Sequence, residues 1–147
     1  MESSINKSGT KNELVKKLKA IDHAVFIKFQ IEFVYLGGSW ATETNDWWSD
    51  IDIFVSKPDI SKLNSNERIN FLLEFSNILT KSTQFNNFQV SIFQNLPLHI
   101  QFSVINEGLV VYESSLIDRL NYIENLLNRY YDHQIWYNRM LNDSLGI

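Results

Sequence analysis

The sequence lacks three features that would point to particular classes of protein. It contains no cysteine, which excludes disulfide bonds, zinc–thiolate sites and cysteine nucleophiles. It has no run of about 18 consecutive apolar residues, the length that a membrane-spanning helix needs. Its first residues, 1–6, lack the charged and then apolar pattern of a signal peptide. These absences predict a cytoplasmic protein without a membrane partner.

A concentration of positive charge is also missing. The chain carries 17 acidic and 13 basic residues, which gives a formal net charge of −4. Binding of duplex nucleic acid normally needs a basic face, and no cluster of lysine and arginine provides one. We therefore expect no DNA partner. An acidic protein more naturally binds a basic protein or a cationic small molecule.

What the chain does contain is a large apolar fraction, with 44% hydrophobic and 14% aromatic residues. A chain of 147 residues buries about 68–70% of its unfolded surface, which is enough for one core. The sequence shows no internal repeat, linker or low-complexity tract. We predict a flexible N-terminus over residues 1–10 and a single domain over residues 11–147.

Hydrophobic periodicity predicts alternating helices and strands. Apolar residues recur at helical spacing over 12–29, 64–80 and from 115 onward. They alternate over 50–56 and 88–93, the short apolar segments 32–36 and 109–112 are two further predicted strands, and segment 98–105 could be helix or strand. This order predicts an α/β or α+β fold with a small mixed sheet of about four strands flanked by helices.

Helical spacing also predicts which side chains face the core. In the middle helix the predicted core side chains are Ile69, Leu72, Leu73, Phe75 and Leu79. Asn64 and Glu67 predict a capping box at the start of this helix. In the last helix they are Leu116, Leu120, Ile123, Leu127, Tyr130 and Tyr137.

One motif stands out from this background. Gly37-Gly38-Ser39 is followed, after ten intervening residues, by Asp50-Ile51-Asp52. Because residues i and i+2 of a strand face the same side, Asp50 and Asp52 are expected on one patch while Ile51 faces the core. Two convergent carboxylates suit a hard divalent cation such as Mg²⁺, which completes its shell with water and phosphate oxygens.

The glycine turn suggests a phosphate ligand beside that cation. Two glycines allow close backbone approach and expose N–H groups to a phosphate. Ser39 is a predicted N-cap of a short helix that begins at Trp40. Metal and phosphate together indicate a nucleoside triphosphate and nucleotidyl transfer. The alternative is that Asp50 and Asp52 lie on the solvated face of an ordinary antiparallel strand.

The same residues carry a resemblance to a known family. Gly38-Ser39, ten residues and Asp50-x-Asp52 resemble the signature of the polymerase-beta-like nucleotidyltransferases. A weaker similarity, Glu-Gly-x-x-x-Tyr, lies within residues 106–112. In length and element order the chain is similar to the minimal nucleotidyltransferase (MNT) domains, which are often antitoxins paired with HEPN-domain toxins.

The resemblance implies a function and its residues. Asp50 and Asp52 would be the catalytic, Mg²⁺-binding carboxylates, and Gly38 and Ser39 would bind the triphosphate of ATP. AMP would pass to a hydroxyl of a HEPN toxin. Two alternatives stay open: a catalytically impaired binding module that neutralises its partner by contact, and an antibiotic-modifying nucleotidyltransferase, in which a homo-oligomer would complete the pocket.

The chain departs from the family pattern in its carboxylates. The relatives supply a third one from a neighbouring strand, expected here on strand 88–93. That strand has no acid, and the positions that could face the site are Gln89, Ser91 and Phe93. Three possibilities follow: a weakened enzyme, an acid supplied from elsewhere (Glu107, Glu113 or a partner), or a protein that still binds nucleotide without catalysis.

The chain also lacks the arginine that many relatives carry shortly after the serine. Lys57 and Lys62 could supply a positive charge near the phosphates, and the alternative is that both lie on a solvated surface.

Aromatic residues predict where a partner would bind. Trp47 and Trp48 precede the carboxylates and could stack on a nucleobase, anchor a partner or pack onto the domain. The last helix is rich in aromatic residues and is the predicted surface for contact with a partner. The aromatic residues of this surface are Tyr130, Tyr131, Trp136 and Tyr137.

Overall fold

The computed structural model describes residues 10–43 and 49–145, with side chains up to residue 143. Residues 1–9 of the predicted flexible N-terminus, and Trp47–Trp48, therefore lie outside the described residues. The described elements are α1 (Lys11–Lys19), α2 (His23–Lys28), β1 (Phe33–Gly37), α3 (Gly38–Thr42), β2 (Ile51–Ser56), α4 (Ser65–Thr83), β3 (Phe88–Ile92), α5 (Leu98–Glu107), β4 (Leu109–Glu113) and α6 (Leu116–Leu145), with short 3-10 turns at Pro58–Lys62 and Phe93–Asn95.

The four strands form one mixed sheet in the order β3-β2-β1-β4. β1 pairs antiparallel with both β2 and β4, whereas β2 and β3 run parallel. The predicted fold class, a small mixed sheet of four strands flanked by helices, is confirmed. We call the end of the sheet where β1 ends and β2 begins the upper end, and the opposite end the lower end.

Helices cover both faces of the sheet. On one face α1, α2 and α4 pack over the odd-numbered residues of β2. The cluster that they form includes Leu14, Leu18, Phe26, Ile51, Ile53, Val55, Phe75 and Leu79. On the other face α5 and α6 cover a smaller cluster of Phe33, Tyr35, Phe93, Val104 and Leu126. Burial on two faces explains why β1 is buried at every position.

The predicted first helix, 12–29, is wrong as a single element. It breaks after Lys19, and α2 begins again at His23. The side chain of Asp22 accepts a hydrogen bond from the backbone N–H of Ala24 at 3.0 Å, so Asp22 caps α2 rather than continuing α1. A short acid that bonds its own backbone competes with helix continuation, which the apolar spacing alone did not reveal.

The capping box at the start of α4 is confirmed, because Asn64 accepts from the Glu67 N–H and Glu67 accepts from the Asn64 N–H. The predicted core face of α4 is right for Phe75 and Leu79. It is wrong for Ile69 and Leu73, which are 54% and 60% exposed. The helix turns Phe71, Phe75, Leu79 and Thr83 inward instead.

Segment 98–105, for which the pattern was ambiguous, is the helix α5. In α6 the predicted stripe is wrong at Leu116, Leu120 and Tyr137, which are exposed. The buried residue of α6 is Leu126, which belongs to the smaller cluster under α5 and α6, and Tyr122 packs against that cluster. No described helix combines the length and apolar character needed to cross a membrane.

Candidate functional site

A glycine pair joins β1 to α3 at the upper end of the sheet. Gly38 has a φ of +63°, in the left-handed region that favours glycine. A Cβ at Gly38 would overlap Asp52 Oδ2 and lie 3.1 Å from Asp52 Cγ. A Cβ at Gly37 would overlap the ring of Phe54 and lie 3.0 Å from its Cδ2. Both glycines are therefore needed for β2 side chains to lie against the turn.

The two aspartates lie beside this turn. Asp52 pairs with Gly37 across the β1–β2 ladder and is half-buried, while Asp50 precedes β2 and is exposed. Burial raises the pKa of Asp52 above its ordinary value, and the negative charge of Asp50 raises it further. The two carboxylates are thus close enough to repel one another, a repulsion that a bound cation would remove.

Ser39 does not cap a helix that begins at Trp40, so that prediction is wrong. The helix α3 begins one residue after Gly37, and Gly37 is its N-cap without a side-chain bond. Ser39 lies in the first turn and is half-buried. The glycine turn runs directly into the helix because Gly38 itself takes the first helical position.

Trp40 is a supporting residue that the sequence did not reveal. It is fully buried, its ring meets Phe85 edge-on at 5.9 Å, and its Nε1 donates to the Ser49 carbonyl at 3.4 Å. Lys11 Nζ donates to the carbonyl of Ala41 at 2.7 Å and fixes the other end of α3. The Trp40 hydrogen bond joins α3 to the residue before Asp50, and the Lys11 hydrogen bond joins α3 to α1.

The position expected for a third carboxylate holds Gln89. In the parallel β2–β3 ladder Gln89 pairs with Asp52, whereas Ser91 pairs with Phe54. Gln89 is exposed, and Phe93 is fully buried in the smaller cluster under α5 and α6. Within residues 10–43 and 49–145 no group of three acidic or histidine side chains could hold a metal.

The other candidate acids lie at different ends of the sheet. Glu113 pairs with Phe33 at the lower end, and its carboxylate binds Arg119. Glu107 precedes Gly108, where a Cβ would lie 3.0 Å from the carbonyl oxygen of Leu36. Of these two, only Glu107 is at the upper end.

The predicted phosphate-compensating lysines lie away from the turn. Lys57 follows β2 at the lower end, about 16 Å along the strand from Asp52. It is 4% exposed, donates to the Phe29 carbonyl and forms a salt bridge with Asp59 at 3.1 Å. Lys62 is exposed at the end of the 3-10 turn that follows. Both predictions for Lys57 are therefore wrong: it lies far from the phosphates that it would have neutralised, and it is buried rather than solvated.

The donor set at the upper end suits Mg²⁺. Two carboxylates offer hard oxygen ligands, and Mg²⁺ completes its octahedron with water and phosphate oxygens rather than with a full protein cage. Because Gly38 has no side chain, the Asp52 carboxylate lies directly against the turn. Asp50 and Asp52 are the residues that would hold the ion.

The sequence model of the family described as Polymerase beta, Nucleotidyltransferase matches residues 17–116. The chain belongs to this nucleotidyltransferase family. The matched span includes the glycine turn, both aspartates and all four strands. No curated protein sequence matches the chain.

Three solved structures that share this fold are described as toxin–antitoxin proteins. A toxin–antitoxin crystallised with AMP-PNP superposes with a TM-score of 0.60 at 18% identity, over 92% of this chain and 98% of that one. The Shewanella oneidensis complex of a tri-AMPylated HEPN toxin with its MNT antitoxin gives 0.53 at 16% identity, over 86% and 98%. The toxin–antitoxin MntA–HepT gives 0.51 at 18% identity, over 92% and 96%. At these identities the likeness shows the fold.

Proposed function

We propose that this chain is a Mg²⁺-dependent adenylyltransferase that moves AMP from ATP to a hydroxyl of a HEPN-toxin partner, and so acts as an antitoxin. The observation that carries the proposal is the contact of the Asp52 carboxylate with Gly38, beside a second acid, Asp50. The family match and the fold shared with an AMPylated toxin–antitoxin complex support it.

The proposed reaction forms a bond from the acceptor oxygen to the α-phosphorus of ATP and breaks the bond to the bridging oxygen, so that pyrophosphate leaves. Mg²⁺, when bound, would neutralise charge on the phosphates. Asp50 and Asp52 would hold the ion, and the exposed turn at Gly38 and Ser39 would bind the phosphates. The proton of the hydroxyl passes to water, because β3 offers the neutral Gln89 beside Asp52.

The distal half of α6, residues 131–145, supports a protein as the acceptor. The exposed apolar side chains there are between 40% and 57% exposed, and they are Tyr131, Ile135, Trp136, Tyr137, Met140 and Leu141. Exposed aromatic residues in this number are typical of the anchors of protein interfaces. We propose that the partner covers this part of α6.

Intact mass spectrometry tests the transfer. The chain is incubated with ATP, Mg²⁺ and the product of the neighbouring gene, and that product is then weighed. We expect the added mass of one or more AMP groups, and no addition with the variant Asp50→Ala/Asp52→Ala. Glu124→Gln on the exposed face of α6 is the control variant and should still transfer AMP.

Gln89 favours a second function, a binding module that neutralises its partner by contact alone. Its amide takes the position next to Asp52 where an acid would activate the acceptor. A stable complex with no added mass would support this alternative. Gln89→Asp then separates the two: a gain of transfer in the variant, against none in the wild type, identifies an impaired enzyme. An aminoglycoside or lincosamide that gains AMP would favour antibiotic modification instead.

A further inference from the structure

β4 forms an edge of the sheet. Within the part of the chain that is described, its one strand neighbour is β1. Every second residue of an edge strand turns its N–H and C=O groups away from that neighbour, which leaves a template for another strand. Most proteins cover or charge such an edge, so its surroundings decide what it can accept.

A groove of about 420 Å³ runs along this edge. Four consecutive residues of β4, Val110–Glu113, form one wall, and Lys19, His23 and Arg119 complete it. The groove therefore borders β4 over the length that a short extended peptide would pair with.

The charged side chains of the groove lie on both faces of the sheet. Lys19 ends α1 and His23 begins α2, and His23 meets the ring of Tyr112 edge-on at 5.1 Å. Arg119 comes from α6 on the opposite face, where it binds Glu113 and donates to the Tyr35 hydroxyl at 2.9 Å. These two bonds use two of the five guanidinium N–H donors. Lys19 and Arg119 against the one acid Glu113 leave the groove lining with a net positive charge, whereas the net charge of the chain is −4.

We propose that the β4 edge is a docking groove for an extended acidic peptide segment, which joins the sheet as a fifth strand. Side chains of an added strand point alternately to the two faces. Acids at neighbouring positions of the peptide would then meet Lys19 and His23 on one face and Arg119 on the other. Backbone pairing supplies affinity and these charges supply specificity, as in other complexes formed by strand addition. This docking does not depend on nucleotide transfer.

Charge complementarity favours an acidic segment over a second copy of this chain. Two copies joined edge to edge by a twofold axis would each bring Lys19 and Arg119 to the same junction. Like charges placed opposite one another across paired strands are destabilising. An acidic peptide brings the opposite sign and no competing cations.

Fluorescence anisotropy tests the proposal with a labelled synthetic peptide of Glu, Val and Thr, in which glutamates occupy neighbouring positions. We expect saturable binding to the full chain, and weakening by about tenfold for Lys19→Glu. The control Lys62→Glu makes the same charge change at an exposed lysine outside the groove and should bind within about twofold of the wild type.

Two further probes separate strand addition from simple ionic attraction. The same peptide with N-methyl groups on alternate residues keeps its charge but loses ladder hydrogen bonds, and it should bind at least about tenfold more weakly. Hydrogen exchange should slow at the amides of Val110–Glu113 when the unmodified peptide binds.

Any of four results overturns the proposal: equal binding of a peptide with lysine in place of glutamate, equal binding of the N-methylated peptide, protection confined to amides away from β4, or no peptide binding. Sedimentation that shows a dimer blocked by substitutions in β4 would assign the edge to a second copy instead.

Discussion

Gly38 allows the turn between β1 and α3 to lie directly against the Asp52 carboxylate. Its φ of +63° disfavours any side chain, and a Cβ there would overlap Asp52 Oδ2. We predict that Gly38→Ala lowers the free energy of unfolding by about 1–3 kcal/mol and displaces Asp52. Urea denaturation measures the first effect. Calorimetry on the folded variant measures the second, and an unchanged affinity for Mg²⁺–ATP would contradict it.

Asp52 gives the site a pH dependence whose direction follows from its environment. Burial, and then Asp50, raise the pKa of Asp52, so the folded state binds the proton more tightly than the unfolded chain. Its contribution to stability is complete below the ordinary value of 3.8 and is lost as the pH rises through the raised pKa. In EDTA at neutral pH, Asp52→Asn should therefore be more stable than the wild type, by less than about 1 kcal/mol because solvent screens the half-exposed group.

Thermal unfolding of both proteins between pH 3 and pH 7 measures this difference, which should vanish at the acid end of the range. The exposed Glu124→Gln on α6 is the control, and its stability should follow the wild type. A less stable Asp52→Asn at neutral pH would show that the carboxylate is stabilising in the fold.

Lys57 serves the core rather than the phosphates. Its ammonium binds Asp59 and the Phe29 carbonyl and lies 4.8 Å from the centre of the Phe71 ring. Removal of one partner of a buried pair costs about 3–5 kcal/mol, less where one side chain is partly exposed, as Asp59 is.

We therefore predict that Lys57→Ala lowers the free energy of unfolding by about 2–3 kcal/mol. The exposed Lys62→Ala should change it by less than about 0.5 kcal/mol. Neither variant should alter nucleotide affinity while folded, as calorimetry below the melting temperature would show. A selective loss of ATP affinity in Lys57→Ala would restore the phosphate role.

Single residues were predictable where local chemistry decides the outcome. The spacing of Gly38 and Asp52 indicated their proximity, because only glycine tolerates both the backbone conformation and the contact. Lys57 was not predictable, since lysine is rarely buried and its partner Asp59 gives no signal in the sequence. The supporting role of Trp40 was not predicted, because the sequence around a single tryptophan does not show whether its side chain is buried or exposed.

The helix α6 carries a surface that the domain itself does not use. After Tyr130, which stacks on Phe102 at 4.1 Å, the side chains up to residue 143 are mostly exposed. We predict that Trp136→Ala/Tyr137→Ala leaves the melting temperature within a few degrees of the wild type. The same variant should bind the proposed HEPN-toxin partner at least about tenfold more weakly, since interface aromatics carry much of the binding energy.

The matched control is Ile69→Ala/Leu73→Ala, which removes two equally exposed apolar side chains from α4. Titration of each variant against the partner compares the two surfaces. Equal weakening by both pairs, or weakening by the α4 pair alone, would place the interface elsewhere.

At the scale of elements, the sequence predicted the strands and the Asn64–Glu67 capping box better than the helix faces. Burial alternates along most of β2 and the Asn64–Glu67 box is local, so both predictions were confirmed. The faces of α4 and α6 were not, because Ile69, Leu73 and Leu116 fit an apolar stripe that no neighbouring element covers. The break at Asp22 was hidden because apolar spacing continues across it.

At the scale of the molecule, the site depends on strand order. Asp52 lies between Gly37 and Gln89 only because β2 is central, antiparallel to β1 and parallel to β3. The sequence predicted a mixed sheet but not this order, since neighbours in a sheet are chosen by long-range contacts. The fold places the glycine turn and both acids at the upper end and leaves the lower end to the Lys57–Asp59 and Arg119–Glu113 pairs.

The central claim is that two acids beside a glycine turn hold Mg²⁺–ATP, and titration calorimetry of ATP into the whole chain tests it most directly. We predict saturable binding with Mg²⁺ that weakens at least about tenfold in EDTA and in Asp50→Asn/Asp52→Asn, with Glu124→Gln unchanged. ATP affinity that is the same with and without Mg²⁺, or the same in the double variant, would contradict the account.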